Sequence, residues 1–184
     1  MAKIYAMIAN GSEEVECLAV VDILRRGQQE VVLTSVEEEN EITGSHHIRI
    51  HCDKTIAETD FADADVIFLP GGMPGTHHLA ACKPLLHALK QQNDAGKRIA
   101  AICAAPSVLG ENGLLKGRKA TCYPGFEEKL SGASYCHDGV VTDGNITTAR
   151  GLGYALDLGL ELIRLLQSEE AACELKNRIQ YDQF

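Results

Sequence analysis

Along the first half of the chain, short apolar runs alternate with longer segments of helical periodicity. Residues 3–9 form a β-type run, and Asn10-Gly11-Ser12 supplies loop and cap chemistry. Residues 13–26 then repeat apolar positions at helical spacing. Glu13, Glu14 and Glu16 fall in the first turn, Arg25 and Arg26 in the last, and Gly27 acts as a stop. A second strand is predicted over residues 30–36, a polar connection over 37–44, and an alternating strand suited to a sheet margin over 48–52. Residues 65–69 predict a short, fully apolar strand that ends at Pro70-Gly71-Gly72-Met73-Pro74-Gly75. An amphipathic helix over 83–92 is stopped by Asp94-Ala95-Gly96, and a strand leads from Arg98 into Cys103. Downstream, 119–122, 140–143 and 146–149 read as short strands, with Asp143-Gly144 turning between the last two. Arg150-Gly151-Leu152-Gly153 opens an apolar helix over 154–166, and 169–179 predicts a last helix that packs on the body or on a second subunit.

Strands alternating with helices imply an α/β fold, a mostly parallel sheet with helices on both faces. Ligands of such sheets bind beyond the carboxyl ends of the strands. That rule brings three segments to one edge: the 10–16 loop, the Pro70-Gly71-Gly72 turn and Cys103.

Cys103 ends the β-run and is followed by Ala104-Ala105-Pro106-Ser107-Val108-Leu109, which reads as a sharp turn into a helix. Ala101 and Ala105 are small enough for close backbone approach at such an elbow, and Pro106 suits a first helical turn. The free N–H groups of that turn favour negative charge, so the thiol is expected to ionise below the roughly 8.5 of a free cysteine.

Composition narrows the picture. The 184 residues, 45% hydrophobic and without low-complexity tracts, repeats or linkers, predict one domain over 1–184. The first apolar segment is too short for a signal peptide or a membrane span. Seven cysteines without a CxxC pair fit reduced thiols, hence a cytosolic protein. A net charge of −9 argues against stable nucleic-acid binding. No P-loop or G-x-G-x-x-G is present, which argues against nucleotide use and against a thiazole-kinase role. His78 with Cys82, and His46, His47, His51 with Cys52, lack recognised zinc spacing, so neither metal nor cofactor is expected. Cys17, beside Glu16, is expected to be packing material and not a resolving thiol.

Four ordered motifs carry a resemblance: Gly11-Ser12-Glu13-Glu14-Val15-Glu16, Leu69-Pro70-Gly71-Gly72, Ala100-Ala101-Ile102-Cys103-Ala104-Ala105-Pro106 and Thr148-Ala149-Arg150-Gly151. With them the chain resembles the DJ-1/ThiJ/PfpI superfamily, in its DJ-1-like (ThiJ/YajL) branch. The resemblance implies a flavodoxin-like fold and a homodimer. It further implies an oxidation-sensitive Cys103 hydrogen-bonded to Glu16, with backbone N–H groups of Gly72 and Ala104 facing the sulfur. It also implies cofactor-free glyoxalase or deglycase chemistry on small dicarbonyls such as methylglyoxal, or oxidation by peroxide.

If Glu16 reaches a Cys103 thiolate, both groups cannot comfortably be negative, so the carboxyl is expected to hold its proton. The chain also departs from its relatives. Tyr123 stands where many carry a histidine, and a phenol with a pKa of about 10 is a poor general base. Ala104 replaces the histidine of the peptidase branch. His137 is followed by Asp138-Gly139, not by the x-Glu of class I amidotransferases. His46 stands where relatives show arginine after Ser45, near the pocket by the resemblance, and it joins Tyr123 and Arg150 as a pocket candidate. The alternative to an enzyme is a redox-responsive protein or chaperone, in which oxidation of Cys103 is the event.

Overall fold

The computed structural model describes residues 1–181. Its centre is a seven-stranded sheet in the order β10-β11-β7-β6-β1-β2-β5. The strands are β1 (Lys3–Ile8), β2 (Glu30–Ser35), β5 (Lys54–Thr55), β6 (Val66–Leu69), β7 (Arg98–Ile102), β10 (Val140–Asp143) and β11 (Ile146–Ala149). All neighbours run parallel except β10 against β11.

The two-residue period of the strands sorts their side chains into two cores. Ile4, Ala6 and Ile8 of β1, Val66 and Phe68 of β6, and Ala100 and Ile102 of β7 face one side. There they meet α1 (Glu14–Arg26), α5 (Ala155–Leu166) and α6 (Glu169–Arg178), which supply Val20, Leu24, Leu158, Leu162, Ile163 and Leu175. Tyr5, Met7, Ile67, Leu69, Ile99 and Ala101 face the other side. They pack on α2 (Gly75–Ala81), α3 (Lys83–Asp94) and α4 (Pro106–Glu111) through Leu79, Leu85, Leu89, Val108 and Leu109. Burial on both faces explains why β6 and β7 read as continuous apolar runs. α1 and α5 approach closely because Gly159 has no side chain; a Cβ there would stand 2.8 Å from the Ile23 side chain.

Several predicted elements are redrawn. The strand expected over 48–52 is β4 (Arg49–His51), and it lies off the margin, in a hairpin with β3 (Glu41–Thr43). β3 lies inside the stretch expected as a connection. The real margin beyond β2 is β5. Only Lys119–Ala120 of the strand expected over 119–122 is extended; as β8 it leaves the main sheet to pair with β9 (Ser134–Tyr135). Runs this short carry too little periodicity to choose a partner. α2 was not anticipated, since it begins at glycine and holds few apolar positions, and α5 is preceded by a 3-10 turn over Leu152–Tyr154. The last helix packs on the body, burying Ala172 and Leu175. Among the described residues, no helix is long and apolar enough to cross a membrane.

Candidate functional site

From the central β1 the chain steps outward in both directions, to β2 and to β6, so the strand order reverses there and leaves a crevice at the carboxyl ends. The Phe68↔Ala100 and Leu69↔Ala101 register sets the Pro70-Gly71-Gly72 turn alongside the end of β7. Backbone bonds fix the rest. The Glu13 N–H donates to the Gly71 carbonyl at 2.9 Å, and the Cys103 N–H to the Ala149 carbonyl at 2.9 Å. α1, the glycine turn, the elbow and β11 are thereby held to one another.

Cys103 is a true elbow. Its φ is +65°, a left-handed conformation that costs a non-glycine residue energy and persists only where the surroundings impose it. Ala101 and Ala105 beside it are fully buried, as the close approach requires. Gly71 must stay bare, because a Cβ would fall 2.6 Å from the Cys103 Cβ and 2.7 Å from a Glu16 carboxylate oxygen. Gly72 has a φ of +88°, and a Cβ on it would run into the Glu13 backbone nitrogen.

Glu16 comes off the first turn of α1 and is only 1% exposed. It accepts a hydrogen bond from the Gly71 N–H at 3.0 Å, and the Cys103 side chain and the Leu152 N–H are near enough to act on its carboxyl. Burial dominates and pushes its pKa up to about 7, with the Glu13 charge adding, against the lowering effect of those donors. The rise is in the direction expected of a carboxyl that holds its proton. The expected easy ionisation of the thiol is not observed. Burial pushes Cys103 up to about 12, and the Glu16 carboxylate beside it pushes the same way; the N–H groups of Gly72 and Ala104 pull it down, but less. The six-residue α4 is too short to offset enclosure and an adjacent anion. The carboxyl therefore gives up its proton before the thiol does, and the thiol keeps its own beside the carboxylate.

Tyr123 is tied to the elbow by its N–H, which donates to the Cys103 carbonyl at 2.8 Å, while its side chain is 50% exposed. With Arg150, Leu152 and Tyr154 it lines a cleft of about 370 Å³. The roles of Leu152, Gly151 and Tyr154 were missed from the sequence; Gly151 lay inside a quoted motif, but nothing marked its neighbours as cleft wall.

His46 is elsewhere. Its Nδ1 lies 3.1 Å from Glu14 Oε2 and 3.2 Å from Glu13 Oε2, which raises its pKa, Glu14 acting first. Among the described residues no hydrogen bond joins it to Cys103 or Glu16. Glu13, Glu14 and His46 are the one group there whose ligand atoms gather closely enough for a metal ion. Glu14 is already served by protein donors: the His46 N–H at 2.7 Å, the Ile48 N–H at 3.4 Å and the Ser45 hydroxyl at 3.2 Å. Of the other groupings, His46, His47, His51 and Cys52 form no such cluster among the described residues. His78 pairs with Glu37, Cys82 sits between α2 and α3, and Cys52 is buried in the core away from any such group. Cys17 is fully buried in the same core.

Comparison with known proteins agrees with this fold. Residues 2–165 match the DJ-1/PfpI family. Protein DJ-1 homolog A of Arabidopsis thaliana is 38% identical over 94% of the chain, although the chain spans only 44% of that protein. The structure of oxidized Toxoplasma gondii DJ-1 superposes with a TM-score of 0.96 at 34% identity, covering 100% of both chains. That of Drosophila melanogaster DJ-1beta superposes with 0.94 at 31% identity, covering 99% of each. The elbow cysteine, the glutamate beside it and the parallel sheet that joins them thus belong to a member of the DJ-1/PfpI family, in its branch of DJ-1 homologues.

Proposed function

We propose that the Cys103–Glu16 pair carries out cofactor-free glyoxalase- or deglycase-type chemistry on small 2-oxoaldehydes or their adducts on amines and thiols. The observation that carries this reading is the buried carboxyl, raised to about 7, in contact with the sulfur of a strained elbow. The reactive form arises when the Cys103 proton moves to the Glu16 carboxylate; the charge then lies on sulfur, where the Gly72 and Ala104 N–H groups favour it. The thiolate adds to the aldehyde carbon, and the carbonyl oxygen takes the Glu16 proton to give a hemithioacetal. The Glu16 carboxylate next removes the former aldehyde hydrogen, and the electron pair moves to the ketone oxygen as an enediolate. Glu16 returns that proton to the former ketone carbon, the hydroxyl proton passes to the enediolate oxygen, and a 2-hydroxy thioester results. Water breaks the S–C bond, releasing the 2-hydroxy acid and restoring the pair. One carbon is oxidised and its neighbour reduced, so no external electron carrier is required. A histidine base is unnecessary because one carboxyl near neutrality serves as acid and base in turn.

The test is methylglyoxal consumption with product identification for wild type, Cys103→Ser and Glu16→Gln. Saturable formation of lactate that vanishes in both variants supports the reading; turnover no greater than that of Cys103→Ser overturns it. A redox role is the second reading, favoured by the donors around the sulfur, which suit sulfinate oxygens. The oxidised state of the Toxoplasma relative also favours it. Peroxide treatment followed by mass spectrometry, with both oxygens mapped to Cys103, would support it.

A homodimer fits the exposed apolar Val15 and Leu18 of α1 and the nearby Ile48, and light scattering tests it. Seven unpaired cysteines suit a reducing compartment such as the cytosol.

A further inference from the structure

The cleft beside the reactive pair is built for more than a methyl group. Its walls are tied to both reacting residues: the Tyr123 N–H donates to the Cys103 carbonyl at 2.8 Å, and the Leu152 N–H is near enough to act on the Glu16 carboxyl. Its walls are large and apolar. Leu152 is 48% and Tyr154 38% exposed, and with Tyr123 they make up three of the most exposed large hydrophobic side chains in the fold. Both tyrosine rings are seated on bare backbone. A Cβ on Gly139 would run into the ring of Tyr154, and one on Gly151 would come within 3.2 Å of the ring of Tyr123. The glycines thus set where the rings stand. Among the described residues, Arg150 is the only charged side chain lining the cleft. Its N–H is fixed to the Gly139 carbonyl at 2.9 Å, and among the described residues no carboxylate pairs with its guanidinium. At about 370 Å³ the space lies at the small end of ligand sites, which run from roughly 300 to 1,000 Å³.

We propose that this cleft is the substituent subsite, selecting 2-oxoaldehydes whose group beyond the ketone is planar and aromatic, with Arg150 receiving the carboxylate of the 2-hydroxy acid product. This rests on the carbonyl chemistry proposed above and names its substrate class. A methyl substituent leaves the tyrosine faces and Leu152 in water. An aryl ring covers them, gaining apolar burial and ring-on-ring contact at a site with few polar groups to desolvate.

The product acids test the subsite without relying on turnover. Mandelate and lactate share the 2-hydroxy carboxylate and differ in the aryl group. Titration calorimetry is done on wild type and on Cys103→Ser, which lacks the nucleophile. Mandelate is expected to bind both at least about tenfold more tightly than lactate. The Tyr123→Ala variant, at a half-exposed position and checked by its melting curve, is expected to lose most of that ratio. Arg150→Met is expected to weaken both acids and leave the ratio intact. Equal affinity for the two acids in wild type overturns the proposal. So does a preference for mandelate that survives the Tyr123→Ala/Tyr154→Ala double variant. A tight mandelate complex in a protein without turnover supports the subsite while sinking the catalytic reading. Methylglyoxal turnover without any aryl preference in binding sinks the subsite alone.

Discussion

Glu14 and Glu16 stand two residues apart on the first turn of α1, each 1% exposed, and their carboxyls are driven in opposite directions. For both, burial pushes the pKa up. At Glu14 it is overridden by the residue's own N–H, those of His46 and Ile48, and the His46 ring, and the value falls to about 2. Gly44 leaves the room for this, since a Cβ there would run into the Glu14 carboxylate. At Glu16 the donors are fewer, a thiol occupies one side, and Glu13 adds its charge, so the value rises to about 7. Deeper enclosure at Glu16 and a fuller set of donors at Glu14 therefore give an anion on one side of the turn and a proton carrier on the other.

The largest effect that tests this contrast is on turnover. Glu16→Gln keeps an acceptor for the Gly71 N–H but cannot carry a proton. Methylglyoxal turnover should fall by roughly 10²–10⁴-fold, measured as lactate formed. A smaller loss removes Glu16 from the proton transfer.

Stability comes next, with opposite signs for the two residues. The folded pKa of Glu14 lies below its ordinary 4.5, so its contribution is complete above about 4.5 and disappears as pH falls through about 2. Glu14→Gln should cost on the order of 3 kcal/mol at pH 7, a melting point lower by roughly 6–12 °C, and almost nothing at pH 2. The folded pKa of Glu16 lies above 4.5, so its contribution is complete below 4.5 and is lost as pH rises through about 7. Glu16→Gln should consequently melt higher than wild type at pH 8, by up to about 3 kcal/mol, with the gain gone at pH 4. Urea unfolding of both variants across this range checks the pair. Equal signs at pH 8 would break the contrast.

Gly72→Ala tests the geometry that feeds the sulfur its N–H donor. Its positive φ and the Glu13 backbone in the path of a Cβ predict a loss of about 1–3 kcal/mol together with lowered Cys103 reactivity, read from denaturant unfolding and the rate of alkylation. The smallest effect belongs to His46, whose side chain is 69% exposed. His46→Asn should change stability by less than about 1 kcal/mol and leave turnover nearly unaltered; a large loss of turnover would reinstate it as a base.

How far the sequence reaches can be judged residue by residue. The long elements were legible because their patterns are local: the β-runs 3–9 and 98–102, the capped 13–26 helix and the 154–166 helix all carry their period within one segment. The elbow was legible because Ala101, Ala105 and Pro106 record the steric demands of a strained turn. The pairing of β3 with β4 and of β8 with β9 was not, since partner choice by two or three residues depends on what lies across from them.

Sequence by itself determined the parallel α/β order and, through its motifs, which cysteine and glutamate to propose as the site and at which edge of the sheet they meet. Only the tertiary structure decided the charge each group carries. Nothing in the Glu13–Glu16 stretch distinguishes an anion near pKa 2 from a proton carrier near 7. That difference comes from packing: donors from the His46 region hold Glu14 as an anion, whereas enclosure at Glu16 outweighs the lowering effect of Gly71 and Leu152. The thiol follows the same rule: its helix start favoured ionisation, but enclosure and the neighbouring carboxylate, both products of packing, outweighed it.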